Sequence, residues 1–220
     1  MPVSHQHRCI FVHIPKCAGT SIEAVLGMHG ELDHVGLRPN YNQTLNEETL
    51  FGAGAQHYCL NQIRERIGEE AYAGYFKFSI VRNPWDRFVS YVAWKADRDG
   101  RMKWLAGKPP SRREFYEALW ALIVDHVRGR PVHMHLRPQW EFLADADGEI
   151  GVDFVGRVET LEADWSRIRE RLGIDAPLER RMQSSHLDYR KYYDPLSRLA
   201  IGLVYRRDIA LFGYRFRGLK

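Results

Sequence analysis

One stretch limits what this chain can fold into: Cys9-Ile10-Phe11-Val12-His13-Ile14-Pro15-Lys16-Cys17-Ala18-Gly19-Thr20-Ser21-Ile22-Glu23-Ala24-Val25-Leu26. The apolar run from Cys9 to Ile14 is rich in β-branched and aromatic residues and breaks at Pro15. A short loop of small residues then passes into a helical pattern carrying Ile22, Val25 and Leu26. The reading is strand, loop, helix. Such a loop has anion-binding chemistry, because the first N–H groups of a helix lack intrahelical partners and the helix dipole puts partial positive charge there. Gly19 allows close backbone approach, Thr20 and Ser21 add hydroxyls, and Lys16 adds a full charge. A phosphate fits this loop, and so does an ordinary strand-to-helix turn. The standard nucleotide-binding pattern Gly-x-x-x-x-Gly-Lys-Ser/Thr is absent, since the lysine here precedes a single glycine. A thiol nucleophile at Cys17 competes with Cys17 as a small filler, and no His/Asn or His/Asp pair is placed by the sequence to activate it.

A second junction of the same kind follows. Phe76 to Val81 reads as a strand and runs into Arg82-Asn83-Pro84-Trp85-Asp86-Arg87-Phe88-Val89-Ser90-Tyr91. Asn83 suits a cap, Pro84 the first helical turn, and Trp85, Phe88, Val89 and Val92 an apolar face. Arg82 leaves the strand end as a bidentate donor or as the ion-pair partner of Asp86 or Glu70, and Ser90 lies about two turns into the helix. Ligands of open α/β sheets gather outside the carboxyl ends of strands, where both junctions belong.

Between them, residues 27–55 lack a sustained apolar period and read as loop with a short helix near Glu47 to Phe51. His57 stands just ahead of a helix marked by Leu60, Ile63 and Ile67 and ended by Gly68, a position suited to a general base. The chain has 10 histidines, so a structural role for any one of them is the ordinary expectation.

Downstream, Lys95 to Pro110 is a polar connection, either a solvated loop or a surface for an anionic acceptor. Ser111 and Glu114 form a capping box, and Phe115, Leu119, Leu122 and Ile123 trace a helix to about Arg128 that is expected to pack on the sheet. His133, His135 and Arg137 alternate, so an extended segment would put them on one face for acceptor binding; no matching carboxylate or cysteine points to a metal. Val152 to Val158 is a third strand. The helix after it carries Leu161, Trp165, Ile168 and Leu172 and closes at Gly173. Arg157 and Glu159 line a cleft or form an ion pair. Met182 to Tyr193, with His186 as an acceptor contact, reads as a flap. Asp194 and Pro195 start a terminal helix with Leu196, Leu199, Leu203 and Val204.

At 220 residues the expectation is one α/β domain over residues 1–220, with a central, mainly parallel sheet flanked by helices. A net charge of +4 favours anionic ligands but is too mild to imply nucleic acid. Met1 to Arg8 show neither a signal peptide nor a membrane anchor, and the three cysteines lack zinc or disulfide spacing, so the expected setting is reducing and cytoplasmic.

The segments His13 to Ser21 and Val81 to Ser90 together resemble the two cofactor motifs of the carbohydrate-type sulfotransferases, Golgi-type and bacterial, which use 3′-phosphoadenosine 5′-phosphosulfate (PAPS). Leu-Arg-Pro-Gln (136–139), Val-Asp-Phe-Val-Gly-Arg-Val-Glu (152–159) and Tyr-Arg-Arg-Asp-Ile-Ala-Leu-Phe-Gly-Tyr (205–214) look like further landmarks in the expected order. The resemblance implies a P-loop-like, nucleotide-kinase-like sulfotransferase fold. It implies that Lys16 contacts the 5′-phosphosulfate, with Cys17, Ala18, Gly19, Thr20 and Ser21 in the cradling loop, and that Arg82 and Ser90 hold the 3′-phosphate. It places His57 where relatives carry a catalytic histidine, implies a carbohydrate or small-molecule hydroxyl acceptor, and requires no metal. Two other classes compete: a nucleotide kinase, which should show Gly-Lys-Ser/Thr and a magnesium carboxylate, and a non-catalytic nucleotide- or glycan-binding module, which would not need His57.

Overall fold

A computed structural model of the chain describes residues 2–28, 57–99, 109–178 and 187–219. Strand β1 (Val3–Ser4) pairs antiparallel with β2 (Cys9–Val12), and β2 is buried along its whole length, as its unbroken apolar run requires. After β2 come α1 (Gly19–Val25), α2 (Leu60–Ile67), α3 (Glu69–Gly74) and β3 (Phe76–Val81). β3 runs parallel to β2, with Cys9 opposite Phe76 and Val12 opposite Ser79, and the Ser79 hydroxyl donates to the Val12 carbonyl at 2.7 Å. Then follow α4 (Pro84–Asp99), α5 (Arg112–Val127), α6 (Trp140–Leu143) and β4 (Phe154–Arg157), which is parallel to β3 with Val81 opposite Arg157. The chain closes with α7 (Leu161–Leu172), α8 (Pro195–Val204), α9 (Arg206–Phe212) and a hairpin of β5 (Tyr214–Arg215) and β6 (Gly218–Leu219).

The sheet order is β1-β2-β3-β4 with only the β1 edge antiparallel, the mixed α/β arrangement with a mainly parallel sheet that the sequence predicts. The carboxyl ends of β2, β3 and β4 therefore share one edge.

Two compact units divide the chain: Met1–Val81 with Glu141–Met182, and Arg82–Trp140 with Gln183–Lys220. The first holds the sheet and buries Ile10, Phe11, Ile22, Leu60, Phe78, Ile80 and Trp165. The second is helical and builds its core from Trp85, Phe88, Val92, Phe115, Leu119, Leu122, Ile201 and Tyr205. The capping box of Ser111 and Glu114 forms, and the apolar stripe of α5, expected to pack on the sheet, is built into the core of the helical unit with α4 and α8. Its aromatic Phe115 finds an edge-on partner in Phe88, 5.4 Å between ring centres.

α8 carries the leucines of the expected terminal helix. Leu196, Leu199 and Leu203 face solvent, Leu196 at 78% exposure, while Ser197 and Ile201 point inward. At the start of this helix Asp194 accepts the Ser197 N–H at 2.7 Å, and Gly202 lies against the Trp85 ring. α3 and the β5–β6 hairpin were not foreseen. The helix expected near Glu47 to Phe51, most of the 95–110 connection, and Met182 to His186 of the expected flap lie outside the described residues. Among the described residues no helix is long and apolar enough to cross a membrane.

Candidate active site

The loop from His13 to Ala18 leaves the carboxyl end of β2. Lys16 and Ala18 both hold left-handed backbone, with φ of 68° and 60°. For residues bearing a Cβ, each costs about 1 kcal/mol or more and persists only where the surroundings enforce it. Ala18 is the N-cap of α1, so the helix begins without a side-chain oxygen over its first amides, and the Ser21 N–H turns back to the Ala18 carbonyl at 3.2 Å. Lys16, Ala18 and Thr20 are half-buried and alternate with fully buried Pro15, Cys17, Gly19 and Ser21. The alternation separates a rim from its support. The Cys17 thiol belongs to the support and donates to the Pro15 carbonyl at 3.6 Å.

Beneath the loop lies a pair of side chains that the sequence reading did not single out. His13 is 4% exposed and Glu23 0%, and His13 Nδ1 is 2.8 Å from Glu23 Oε1. The His13 ring stacks on Phe11 and fills the space over Gly19 so closely that a Cβ there would lie 2.1 Å from His13 Nε2. This is why position 19 carries a glycine. Glu23 left a signal in the sequence: it sits beside Ile22 and three residues before Leu26, on the face of α1 that must be buried.

His57 joins the same group. Its Nδ1 is 3.2 Å from the His13 carbonyl, and its ring meets the His13 ring edge-on at 4.8 Å. A carbonyl only accepts, so Nδ1 carries the proton in this contact.

In the helical unit, the second junction is equally specified. The Asn83 side chain caps α4 by accepting the Trp85 N–H at 3.1 Å. Arg82 Nε pairs with Asp86 at 2.7 Å, the alternative raised from sequence. The backbone of Arg82 is bracketed by the Gln139 amide: Arg82 N–H donates to Oε1 at 2.8 Å, and Nε2 donates to the Arg82 carbonyl at 2.9 Å. Asp208, fully buried, in turn accepts the backbone N–H groups of Gln139 and Trp140 at 2.8 and 2.9 Å on its two oxygens. Burial pushes its carboxyl above the usual range, against the lowering effect of those amides. The landmarks at 136–139 and 205–214 thus meet around Arg82. Ser90 is 1% exposed on α4.

The expected acceptor residues stand in the same unit. His133 and His135 do not lie on an extended strand; Met134–Leu136 is a short 3₁₀ turn, and their rings stack at 5.1 Å, with Trp94 stacked on His135 at 4.3 Å. The buried Arg87 holds this turn by donating to the carbonyls of His135 and Arg137 at 3.0 and 2.9 Å. His133 Nδ1 accepts the His135 N–H, which puts the His133 proton on Nε2. His186 lies outside the described residues. Among the described residues no cluster of three His, Cys, Asp or Glu side chains is placed to hold a metal.

The sheet unit thus carries a strand-loop-helix junction with His57 beside its loop, and the helical unit carries Arg82 braced by Gln139. Residues 1–215 match the model of the sulfotransferase family, and the chain belongs to that family. An uncharacterized protein of Archaeoglobus fulgidus is 30% identical over 132 residues, 59% of this chain and 94% of its own length. Carbohydrate sulfotransferase 10 of Gallus gallus is 26% identical over 249 residues and that of Xenopus laevis 27% over 246, each covering 97% of this chain. The chain spans 66% of the length of these two relatives. No solved structure matches it.

Proposed function

We propose that the chain transfers a sulfuryl group from PAPS to a hydroxyl of a carbohydrate or small-molecule acceptor, residues 1–220 acting as one sulfotransferase domain of P-loop-like, nucleotide-kinase-like fold. The observation that carries this reading is the loop after β2, strained at Lys16 and Ala18 and joined to His57 through the His13 carbonyl. Strain of this kind is maintained where a ligand is to be met by preset groups. The names of the two carbohydrate sulfotransferases that match the whole chain support a sugar acceptor.

The acceptor oxygen attacks sulfur in line as the bond from sulfur to the bridging oxygen breaks. The bond's electron pair goes to the departing 5′-phosphate, and the hydroxyl proton goes to His57 Nε2. Lys16 and the amides at the start of α1 stabilise the charge on that phosphate, and Thr20 and Ser21 cradle it. Arg82 and Ser90 hold the 3′-phosphate, and His133, His135, Arg137 and His186 contact the acceptor. The chemistry calls for no metal ion, and the proposed setting is cytoplasmic.

The test is turnover with PAPS and a panel of sugar and phenol acceptors, read by mass spectrometry. Lys16→Ala should abolish sulfated product. His57→Ala should lower kcat about a hundred- to ten-thousand-fold, the ordinary contribution of a placed base, while nucleotide binding persists. Full turnover in the His57 variant would remove it from the mechanism.

A further inference from the structure

The edge of the sheet opposite the loop after β2 carries a groove that has no part in the steps above. It has a volume of about 640 Å³ and is lined at the amino ends of the strands. Arg8 stands just before β2, Tyr75 and Phe76 at the start of β3, Asp153 just before β4, and Arg171 in the last turn of α7. All of them belong to the sheet unit. The 6 residues of β3 put this edge about 20 Å from the carboxyl ends of the strands. We propose that the groove is a second, non-catalytic binding site for a sulfate or phosphate monoester, gripped by the guanidinium groups of Arg8 and Arg171. The proposal does not depend on the PAPS reading.

Charge is the first argument. Three fixed cations, Arg8, Lys77 and Arg171, line the groove with one carboxylate, Asp153. That carboxylate is already engaged: its Oδ2 accepts the Lys77 N–H at 2.7 Å and stands 3.3 Å from Lys77 Nζ. The Lys77 ammonium also donates to the carbonyls of Tyr72 and Tyr75 at 3.3 and 3.2 Å. Arg8 and Arg171 are exposed, and neither has a carboxylate partner among the described residues. Their charge is what the groove offers a ligand. Preorganisation is the second argument. Arg8 Cζ lies 5.6 Å from the centre of the Tyr75 ring, and Arg171 Cζ 5.9 Å from that of Phe76. These rings are anchored in turn: the Tyr75 hydroxyl is 2.8 Å from His5 Nδ1, and Phe76 stacks on fully buried Phe78 at 5.6 Å. Gly74 leaves room for the Arg8 side chain, since a Cβ there would stand 3.4 Å from Nη2. A guanidinium laid on a ring keeps N–H donors for a tetrahedral oxyanion and loses less freedom when one binds. The volume is that of a small-molecule pocket, which leaves room for the body of an ester.

NMR titration of the whole chain with glucose 6-sulfate, glucose 6-phosphate and glucose tests the proposal. The esters should shift the Nε–H signals of Arg8 and Arg171 and the backbone amides of Phe76, Lys77 and Asp153, saturating at millimolar concentration, and glucose should not. The ester that saturates first identifies the source of the oxyanion. Arg8→Gln and Arg171→Gln should each weaken binding about tenfold or more, the value of one charged hydrogen bond, with the melting temperature unchanged because both side chains are exposed. Lys16→Ala should leave the groove's shifts intact. Failure of sulfuryl transfer with those shifts retained therefore sinks the PAPS reading and not this one. Absence of a saturable shift at the groove with either ester overturns the proposal, as does an equal response to glucose. The double variant R8K/R171K keeps the charge and removes the planar donors; binding as tight as wild type would mean attraction to net charge alone and would also overturn it.

Discussion

Replacing Gly19 with alanine adds one methyl group at the first residue of α1, where alanine is normally the better helix former by up to about 1 kcal/mol. Here the sign should reverse. The new Cβ would lie 2.1, 2.2 and 2.5 Å from His13 Nε2, Cδ2 and Cε1, against an ordinary contact of about 3.5 Å, so the ring must withdraw by more than an ångström. It has nowhere to go without loss, because Phe11 stacks on it, His57 meets its edge and Glu23 holds Nδ1. Overpacking of this kind costs about 1–3 kcal/mol, and a broken buried pair costs more. Set against the helix gain, the net destabilisation should be about 2 kcal/mol, which for a chain of this size lowers the melting temperature by about 4–8 °C. Thermal unfolding followed by circular dichroism measures it. A Gly19→Ala protein that melts at or above the parent temperature would refute the packing of His13 against the loop.

Other perturbations follow from the helical unit. Asp208→Asn turns an amide N–H₂ toward one of the two backbone N–H groups that the carboxylate accepts, so it should cost about 1–3 kcal/mol of stability and loosen Gln139 from Arg82, read as a lower melting temperature and weaker binding of adenosine 3′-monophosphate. Asp194, held down to about 2 chiefly by the Ser197 N–H at the start of α8, contributes stability that is present above its ordinary value of 3.8 and lost as the pH falls toward 2. Asp194→Asn should flatten that acid limb in a pH series of melts.

The elements that carry their own periodicity were legible in the sequence. β2, β3, α2, α7 and the caps at Ser111, Asn83 and Asp194 each follow from residues within a turn or two of one another. What was not legible depends on residues far apart in the chain. Gln139 brackets Arg82 across 57 positions and Asp208 reaches Gln139 across 69, so their motifs read as landmarks without a physical role. The contact of Glu23 with His13 likewise depends on how the loop lays the His13 ring over Gly19. In α8 periodicity marks the helix, but Leu196, Leu199 and Leu203 are exposed and Ser197 and Ile201 are buried, which the leucine spacing does not tell. At the second junction, the pairing of Arg82 with Asp86 was one of two ion pairs that sequence spacing allowed.

The central claim is the proposed one, that the chain takes a phosphoadenosine donor whose 3′-phosphate Arg82 holds. Calorimetric titration with adenosine 3′,5′-bisphosphate, without magnesium, tests it most directly, with ATP and adenosine 5′-phosphate as controls and Arg82→Ala as the variant. Tight binding that needs the 3′-phosphate and is lost in Arg82→Ala is the predicted result. Absence of binding, or an equal response to ATP that requires magnesium, would contradict it.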